Sequence, residues 1–266
     1  KSTLMKILTG QHRASRGQVE VLGRSPWNNP GMNHSLGFCP EQDAFYEWMS
    51  GRKFVASMLS LHGYTRREVE RRCQAALEEV GMGKAAGLKI GGYSKGMRQR
   101  IKLAQAIAHD PSILILDEPV TGLDPVGRRH IIDLIRRWGE EGRTVLVSSH
   151  ILHEVEAMTS TVLLINHGRL LAEGDVHEIR DLLDEHPHHV TLSTRDPRAL
   201  AARLIADPGV VSVRFDEIHR SVTAETIKAA AFYRRIPELV LDEGVDVDEI
   251  SSADDNLGAI FDYLVK

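Results

Sequence analysis

Cysteine is scarce in this sequence, which contains only Cys39 and Cys73 among 266 residues. Two thiols do not make a disulfide framework, so the composition argues against a small secreted scaffold and fits a reducing compartment. Long apolar runs are also missing, because the longest ones have the length of a strand and fall far short of the roughly twenty residues that cross a bilayer. The sequence therefore predicts a chain without a membrane-spanning helix.

An excess of positive charge is absent as well. The sequence has 33 Lys and Arg against 37 Asp and Glu, a formal net charge of −4, and both signs are interspersed. Surfaces that bind nucleic acid are strongly basic, so the composition argues against a DNA or RNA partner. The length is sufficient for a substantial core and allows one large domain or two unequal ones.

The sequence does contain an apolar run that ends in two acids. Residues 113–116 are all aliphatic, and Asp117 and Glu118 follow them directly. A run without alternation predicts a buried parallel strand, and ligands of open α/β sheets lie beyond the carboxyl ends of such strands. Adjacent buried acids need a cation or hydrogen-bond donors. For this string alone, a strand that simply emerges into solvent is an equally good interpretation.

The first residues, Lys1, Ser2 and Thr3, precede an amphipathic helical pattern that extends to Leu8. They match the end of the phosphate-binding pattern G-x-x-x-x-G-K-[ST], in which the lysine reaches the β and γ phosphates and the hydroxyl holds magnesium. The glycines of that pattern are absent, so the sequence opens inside the motif. Alone, such a triplet more often lies in a surface loop.

Four further segments accompany the acidic strand in an order and spacing that are typical of one family. They are Gln42 after a short predicted strand, Tyr93 to Met97 before a predicted helix, Thr121 to Pro125, and a predicted strand that ends at His150. Over roughly residues 1–175 the combined pattern resembles the nucleotide-binding subunit of an ABC transporter. The resemblance implies an α/β fold of the P-loop NTPase type, with a parallel-sheet core and a helical subdomain at about residues 45–90.

The resemblance also implies which residues bind ATP and its magnesium ion. Lys1, Ser2 and Thr3 are expected to contact the nucleotide. Ser2, Gln42 and Asp117 are expected to hold magnesium, directly or through water, and Gln42 is also expected to contact the nucleotide and to sense a membrane subunit.

Hydrolysis and subunit pairing are assigned to a second group of residues by the same resemblance. Glu118 is expected to accept a proton from the attacking water or to orient it, and His150 to contact the γ-phosphate. Ser94 and Gly96, at a predicted helix start, are expected to bind the γ-phosphate of the ATP held by the other subunit. Asp124 is expected to bridge to that subunit.

The segment from Tyr93 to Met97 departs from the common form Leu-Ser-Gly-Gly-Gln at Tyr93, Lys95 and Met97. This variant is similar to that of the drug, lipid and polysaccharide exporter ATPases. The resemblance thus implies an ATPase that drives an exporter through ATP-dependent dimer closure. Its expected partners are a membrane permease and a second ATPase subunit, identical or related. Its expected location is the cytoplasm, on the inner face of the cell membrane.

A second module is predicted after the ATPase domain. We expect the ATPase domain at 1–175, a linker helix at 176–188 and a small α+β domain at 189–266. The pattern of the last region is strand, helix, two strands, helix, strand, which predicts a ferredoxin-like domain, with an additional helix from Asp254 to Leu264. No catalytic constellation is visible in it, so either a regulatory role or a simple packing role is possible.

Two other functional classes stay open. One is an ABC ATPase that acts outside transport, although such proteins normally show tandem nucleotide domains or long coiled coils, and neither pattern is present. The other is a catalytically incompetent binding partner, because the missing glycines would supply most of the phosphate nest. A zinc site at His150, His153 and Glu154 is not indicated, since the order and spacing differ from H-E-x-x-H.

Three local predictions accompany these. A strand is expected at Gln18 to Leu22, and a helix at Arg66 to Val80, whose apolar residues recur at helical spacing. The aromatic residues Phe45, Tyr46 and Trp48 either belong to the core or line a groove for a helix of the membrane subunit.

Overall fold

The computed structural model describes residues 1–181, 187–252, 257, 258 and 261. The chain divides into two compact units, Lys1–Thr159 and Ser160–Lys266. Residues 160–175, which the sequence analysis assigns to the ATPase domain, therefore cluster with the C-terminal unit. The domain limits at 175 and 188 remain sequence-based predictions.

The first unit alternates helices with three strands. Its helices and strands are α1 (Ser2–Leu8), β1 (Leu36–Cys39), α2 (Gly51–Ser60), α3 (Arg66–Glu79), α4 (Lys95–Ile107), β2 (Ile113–Asp117), α5 (Pro125–Glu140), β3 (Thr144–Ser148) and α6 (Leu152–Met158). Short 3₁₀ helices at Pro30–His34 and Ile90–Gly92 complete it.

The three strands form one parallel sheet in the order β1-β2-β3. The middle strand, β2, is the aliphatic run of the sequence, and its residues Leu114 and Leu116 are fully buried. Continuous apolar residues suit a strand that is covered on both faces. The parallel β2 strand that the sequence predicts is therefore confirmed, and it delivers Asp117 to the carboxyl edge of the sheet.

Helix α4 packs on β1 with almost no space between the two backbones. A Cβ atom added to Gly37 of β1 would lie 2.2 Å from the backbone oxygen of Ala106 and 2.8 Å from Cγ of Pro111. Only glycine fits at such a distance. The C-terminal end of α4 is therefore held directly against the sheet.

The strand predicted at Gln18 to Leu22 is wrong. Only Val21 makes a bridge there, and its partner is Arg24 across a tight turn at Leu22 and Gly23, both with positive φ. A strand needs a neighbour for its backbone groups over several residues. Within the described residues this segment has no such neighbour, so it remains irregular.

In the helical region of the first unit, a capping residue sets where helix α3 begins. Thr65 caps α3 with a complete capping box to Glu68, and the predicted helix ends at Glu79, one residue before Val80.

The aromatic residues separate into two environments. Phe45 packs edge-on against Phe54, with ring centroids 5.0 Å apart, whereas Tyr46 and Trp48 are exposed.

The second unit contains a hairpin, a helix and a small α+β domain. Its elements are β4 (Thr161–Asn166), β5 (Arg169–Asp175), α7 (Val176–Asp181), β6 (His188–Ser193), α8 (Pro197–Leu204), β7 (Val210–Asp216), β8 (Ser221–Thr226), α9 (Ala229–Leu241) and β9 (Glu249–Ser252). The hairpin turns at His167 and Gly168, both with positive φ, which is the backbone conformation that tight hairpin turns require.

Strands β6 to β9 form an antiparallel sheet in the order β7-β8-β6-β9. The second strand is thus paired with the third and the first with the fourth, which is the order of a ferredoxin-like fold, and this prediction is confirmed. Alternate residues of β6 and β8 enter the core together with α8 and α9. The predicted final helix lies mostly outside the described residues, and so do residues 182–186 of the predicted linker helix.

Among the residues that the structure describes, no helix combines the length and the apolar character needed to cross a bilayer.

Candidate active site

The acid pair lies where β2 ends and is almost completely enclosed. Asp117 is 2% exposed and Glu118 is 8% exposed. The Ser148 hydroxyl, at the end of the neighbouring strand β3, donates to Oδ1 of Asp117. It also accepts the backbone N–H of Glu118 at 3.2 Å. One serine therefore fixes both acids against the sheet.

Glu118 has a backbone conformation that non-glycine residues seldom adopt, with φ of +52°. Such conformations persist where the surroundings hold them in place. Here Gln99 of α4, itself buried, donates to the carbonyl oxygens of Glu118 at 3.3 Å and of Pro119 at 2.9 Å. The turn after Asp117 consequently presents the Glu118 carboxylate beyond the edge of the sheet instead of continuing the strand.

Three side chains meet the Glu118 carboxylate. Nδ1 of His150 lies 2.9 Å from Oε2, and the Thr121 hydroxyl lies 3.3 Å from the same oxygen. Nζ of Lys1 lies 3.7 Å from Oε1 and donates to the carbonyl oxygen of Ser149 at 2.6 Å. The structure therefore brings together a lysine, a histidine and a carboxylate that are widely separated in the sequence.

The three residues that are expected to hold magnesium line one cavity of 870 Å³. They are Ser2 at the start of α1, Gln42 after β1, and Asp117. A hydroxyl, an amide and a carboxylate supply the oxygen ligands that Mg²⁺ prefers. The residues present thus fit a magnesium ion, and Lys6, which lines the same cavity, adds positive charge that suits a polyphosphate.

Ser94 and Gly96 lie at the start of α4, away from the acid pair in sequence but next to the Gly122 segment. Ser94 is the N-cap of α4, since its hydroxyl accepts the N–H of Met97 at 3.3 Å. A Cβ on Gly96 would lie 3.2 Å from the carbonyl oxygen of Gly122. The exposed N-terminus of α4 and the segment before α5 therefore form one surface.

Asp124 is the N-cap of α5, and its Oδ1 accepts the N–H of Gly127 at 3.2 Å. A cap of this kind stabilises the helix on its own account. Thr3, the remaining candidate, is exposed in the first turn of α1.

The sequence analysis did not find the charged side chains that tie the Gln42 segment to α4. Lys102, buried on α4, donates to the carbonyl oxygen of Glu41 at 2.6 Å and pairs with Asp43 at 3.1 Å. One turn earlier, Arg98 pairs with Glu47 at 3.0 Å. The spacing of four between Arg98 and Lys102 was the available signal, because residues at i and i+4 share a helix face.

A cluster of three histidines that line the same cavity was also missed. The rings of His62 and His109 stack with centroids 4.3 Å apart, and the ring of His34 lies edge-on to His62 at 5.5 Å. Nε2 of His109 contacts the carbonyl oxygen of Leu36 at 3.0 Å. Burial, and then the neighbouring His62, lowers the pKa of His109 to about 4. Burial also lowers the pKa of His62.

We expect His109 to make the protein less stable in acid. Because folding favours its neutral ring, this contribution to stability is complete above about pH 6.5 and is lost as the pH falls towards 4. Glutamine keeps a donor for Leu36 but does not titrate. When the pH is lowered from 7 to 5, the free energy of unfolding of the His109→Gln protein should therefore fall by about 2 kcal/mol less than that of the wild type. Urea denaturation at the two pH values measures both. Parallel pH dependences of the two proteins would contradict this.

Comparison with known proteins agrees with the fold. The sequence model of the ABC transporter family matches residues 1–121. A solved structure described as the ATP-binding subunit of an ABC transporter superposes with a TM-score of 0.63 and 26% identity, covering 69% of this chain and 77% of that one. Residues 1–121 therefore carry an ABC transporter domain, the chain is similar to ABC transporter ATP-binding proteins, and its first unit has the α/β fold of the P-loop NTPases.

Two curated relatives extend the likeness over most of the chain. The uncharacterized ABC transporter ATP-binding protein YxlF of Bacillus subtilis is 34% identical over 196 residues, which are 74% of this chain and 64% of the relative. The daunorubicin/doxorubicin resistance ATP-binding protein DrrA of Streptomyces peucetius is 29% identical over 236 residues, 84% of this chain and 72% of the relative. The chain thus spans somewhat less than two thirds of YxlF.

Proposed function

We propose that this chain hydrolyses ATP and thereby powers an ABC-type membrane exporter. The observation that carries the proposal is the meeting of Lys1, His150 and the buried Glu118 at the carboxyl end of β2, beside the cavity that contains Asp117. Ligands of α/β sheets bind at this edge. The charges there, one lysine and two acids, match a phosphate chain with its magnesium ion.

In the proposed reaction Glu118 orients the attacking water and accepts its proton. The carboxylate suits this role because it is held by Thr121 and His150 and is shielded from bulk solvent. His150 then lies next to both the water and the terminal phosphate. Lys1 offers its ammonium to the phosphate oxygens in place of its present contacts. Magnesium, when bound at Ser2, Gln42 and Asp117, neutralises phosphate charge.

The second half of each site comes from another subunit in this proposal. Ser94, Gly96 and the exposed N-terminus of α4 supply donors and a positive helix end, which suit a γ-phosphate. Asp124 lies on the adjoining segment and would contact the partner. ATP then stabilises the closed dimer because it contacts both subunits only in that state, and hydrolysis removes the bridging group.

The exporter assignment rests on the segment from Tyr93 to Met97 and on the ferredoxin-like unit. The relative DrrA, an ATP-binding protein named for drug resistance, supports the same direction. Such a subunit would lie on the cytoplasmic face of the membrane, bound to a permease. The exposed side chains of Tyr46 and Trp48, close in sequence to Gln42, are the proposed contact with that permease.

The shared site predicts that ATP turnover depends on protein concentration. Turnover per subunit should rise as the subunits associate and should level off at saturation, because a single subunit lacks the partner's Ser94. The measurement is phosphate release by protein expressed from the whole reading frame, over a hundredfold range of concentration at saturating Mg-ATP. A turnover per subunit that stays constant to the lowest concentration, where light scattering shows only monomers, would contradict the proposal.

A further inference from the structure

Glu154 of α6 is a buried carboxylate to which the proposed reaction gives no role. It is 2% exposed, and its Oε1 lies 2.9 Å from Nη1 of Arg128, which extends from α5. A charge removed from water is tolerated only when it is paired. Glu154 and Arg128 therefore hold α5 and α6 together through an ion pair in which one partner is almost completely enclosed.

The other carboxylate oxygen of Glu154 faces the turn that carries His150. The Ser149 hydroxyl lies 3.5 Å from Oε2 of Glu154 and accepts the backbone N–H of Ile151 at 3.0 Å. Ser149 and Ile151 are the two neighbours of His150. Through the Ser149 hydroxyl, Glu154 is consequently linked to the turn that carries the histidine whose Nδ1 lies 2.9 Å from Glu118.

Arg128 leads from the same ion pair to the segment proposed to face the partner subunit. Its backbone N–H donates to the carbonyl oxygen of Asp124 at 2.8 Å, so Arg128 belongs to the first turn of the helix that Asp124 caps. A displacement of this turn moves the guanidinium and, with it, the Glu154 carboxylate. One chain of contacts thus joins Asp124 to His150.

We propose that Glu154 and Arg128 are positioning residues that couple the Asp124 segment to His150. Contact of the partner subunit with Asp124 would then set the His150 side chain against Glu118, so that hydrolysis requires a correctly docked partner. This inference rests on the proposed function, because it assigns regulation of the same site. Neither residue touches the reacting atoms.

The test compares Glu154→Gln and Arg128→Met with a matched control, Arg143→Met. Arg143 pairs with Asp110 at 3.0 Å, near the amino ends of β3 and β2, opposite the acid pair. Both test variants should lower kcat at least tenfold and change KM for ATP by less than about threefold. The control should retain the wild-type kcat. Arg128→Lys, which keeps the charge, should recover part of the loss. Thermal unfolding curves show which variants remain folded.

A double-mutant cycle distinguishes positioning from general damage. If Glu154 acts through His150, Glu154→Gln should have no further effect on kcat once His150 is replaced by alanine. Independent, multiplying losses would overturn the inference, as would wild-type kcat in Arg128→Met. Arg128 is half-buried, so that variant remains informative even if Glu154→Gln fails to fold. An inactive wild type would instead contradict the proposed function, and the two failures are therefore separable.

Discussion

Replacement of Glu118 by glutamine is expected to lower ATP turnover by about 10²- to 10⁴-fold, the usual effect of losing a general base, and to leave ATP binding intact. Glutamine has the same shape and retains acceptor and donor groups for Thr121 and His150, so the local structure should persist. It cannot take up the proton of the attacking water. Phosphate release measures the turnover, and titration with a fluorescent ATP analogue measures the binding.

The matched control for this substitution is Glu140→Gln at the exposed end of α5. It removes the same charge at an exposed position that is far from the acid pair in the sequence. Turnover should stay within about twofold of the wild type, because surface substitutions usually have small effects. Turnover of Glu118→Gln equal to that of the wild type would refute the assigned role. Loss of binding together with turnover would instead identify Glu118 as a binding residue.

The second large effect is expected from Ser94→Arg. A long cationic side chain at the exposed N-terminus of α4 would occupy the space proposed for the partner's γ-phosphate and would repel the magnesium bound there. In the Glu118→Gln background, where ATP is not consumed, the protein with Ser94 should double its mass when Mg-ATP is added. The double variant should remain a monomer while still binding nucleotide. Light scattering coupled to size exclusion measures both masses.

Because Ser94 also caps α4, its loss lowers helix stability by about 1 kcal/mol regardless of any partner. Ser50→Arg is the matched control, because Ser50 caps α2 in the same way, with its hydroxyl accepting the N–H of Lys53 at 3.2 Å. That control should still dimerise with Mg-ATP. A normal ATP-dependent dimer in the Ser94→Arg protein would refute the composite site.

Much of the architecture could be predicted because its signals are local. The aliphatic run of β2 has no alternation and no polar interruption, a pattern that is typical of a strand buried on both faces. The turn at His167 and Gly168 and the capping box at Thr65 are equally explicit, because each depends on residues adjacent in sequence. The element order of the C-terminal region predicts a ferredoxin-like domain, and the strand order of its sheet agrees with that fold.

What sequence reasoning missed depends on contacts between distant segments. Gln18 to Leu22 alternates as a strand does, but a strand forms only with a neighbour, and periodicity does not reveal one. The stacked rings of His62 and His109 come from helices and loops that meet only in the folded unit. Likewise, Lys102 reads as an ordinary charged position of α4, and its burial beside Asp43 arises from the packing of α4 on β1.

The close approach of α4 to Gly37 has a mechanical consequence. With the helix clamped near Ala106, its opposite end at Ser94 is the tip of a lever about 18 Å long, at 1.5 Å per residue. A tilt of only about 5° around that fulcrum carries Ser94 roughly 1.6 Å, which is enough to make or break a hydrogen bond to phosphate. A small rotation of α4 at its contact with the sheet thus produces a larger displacement of Ser94, and the helix does not need to slide along its axis.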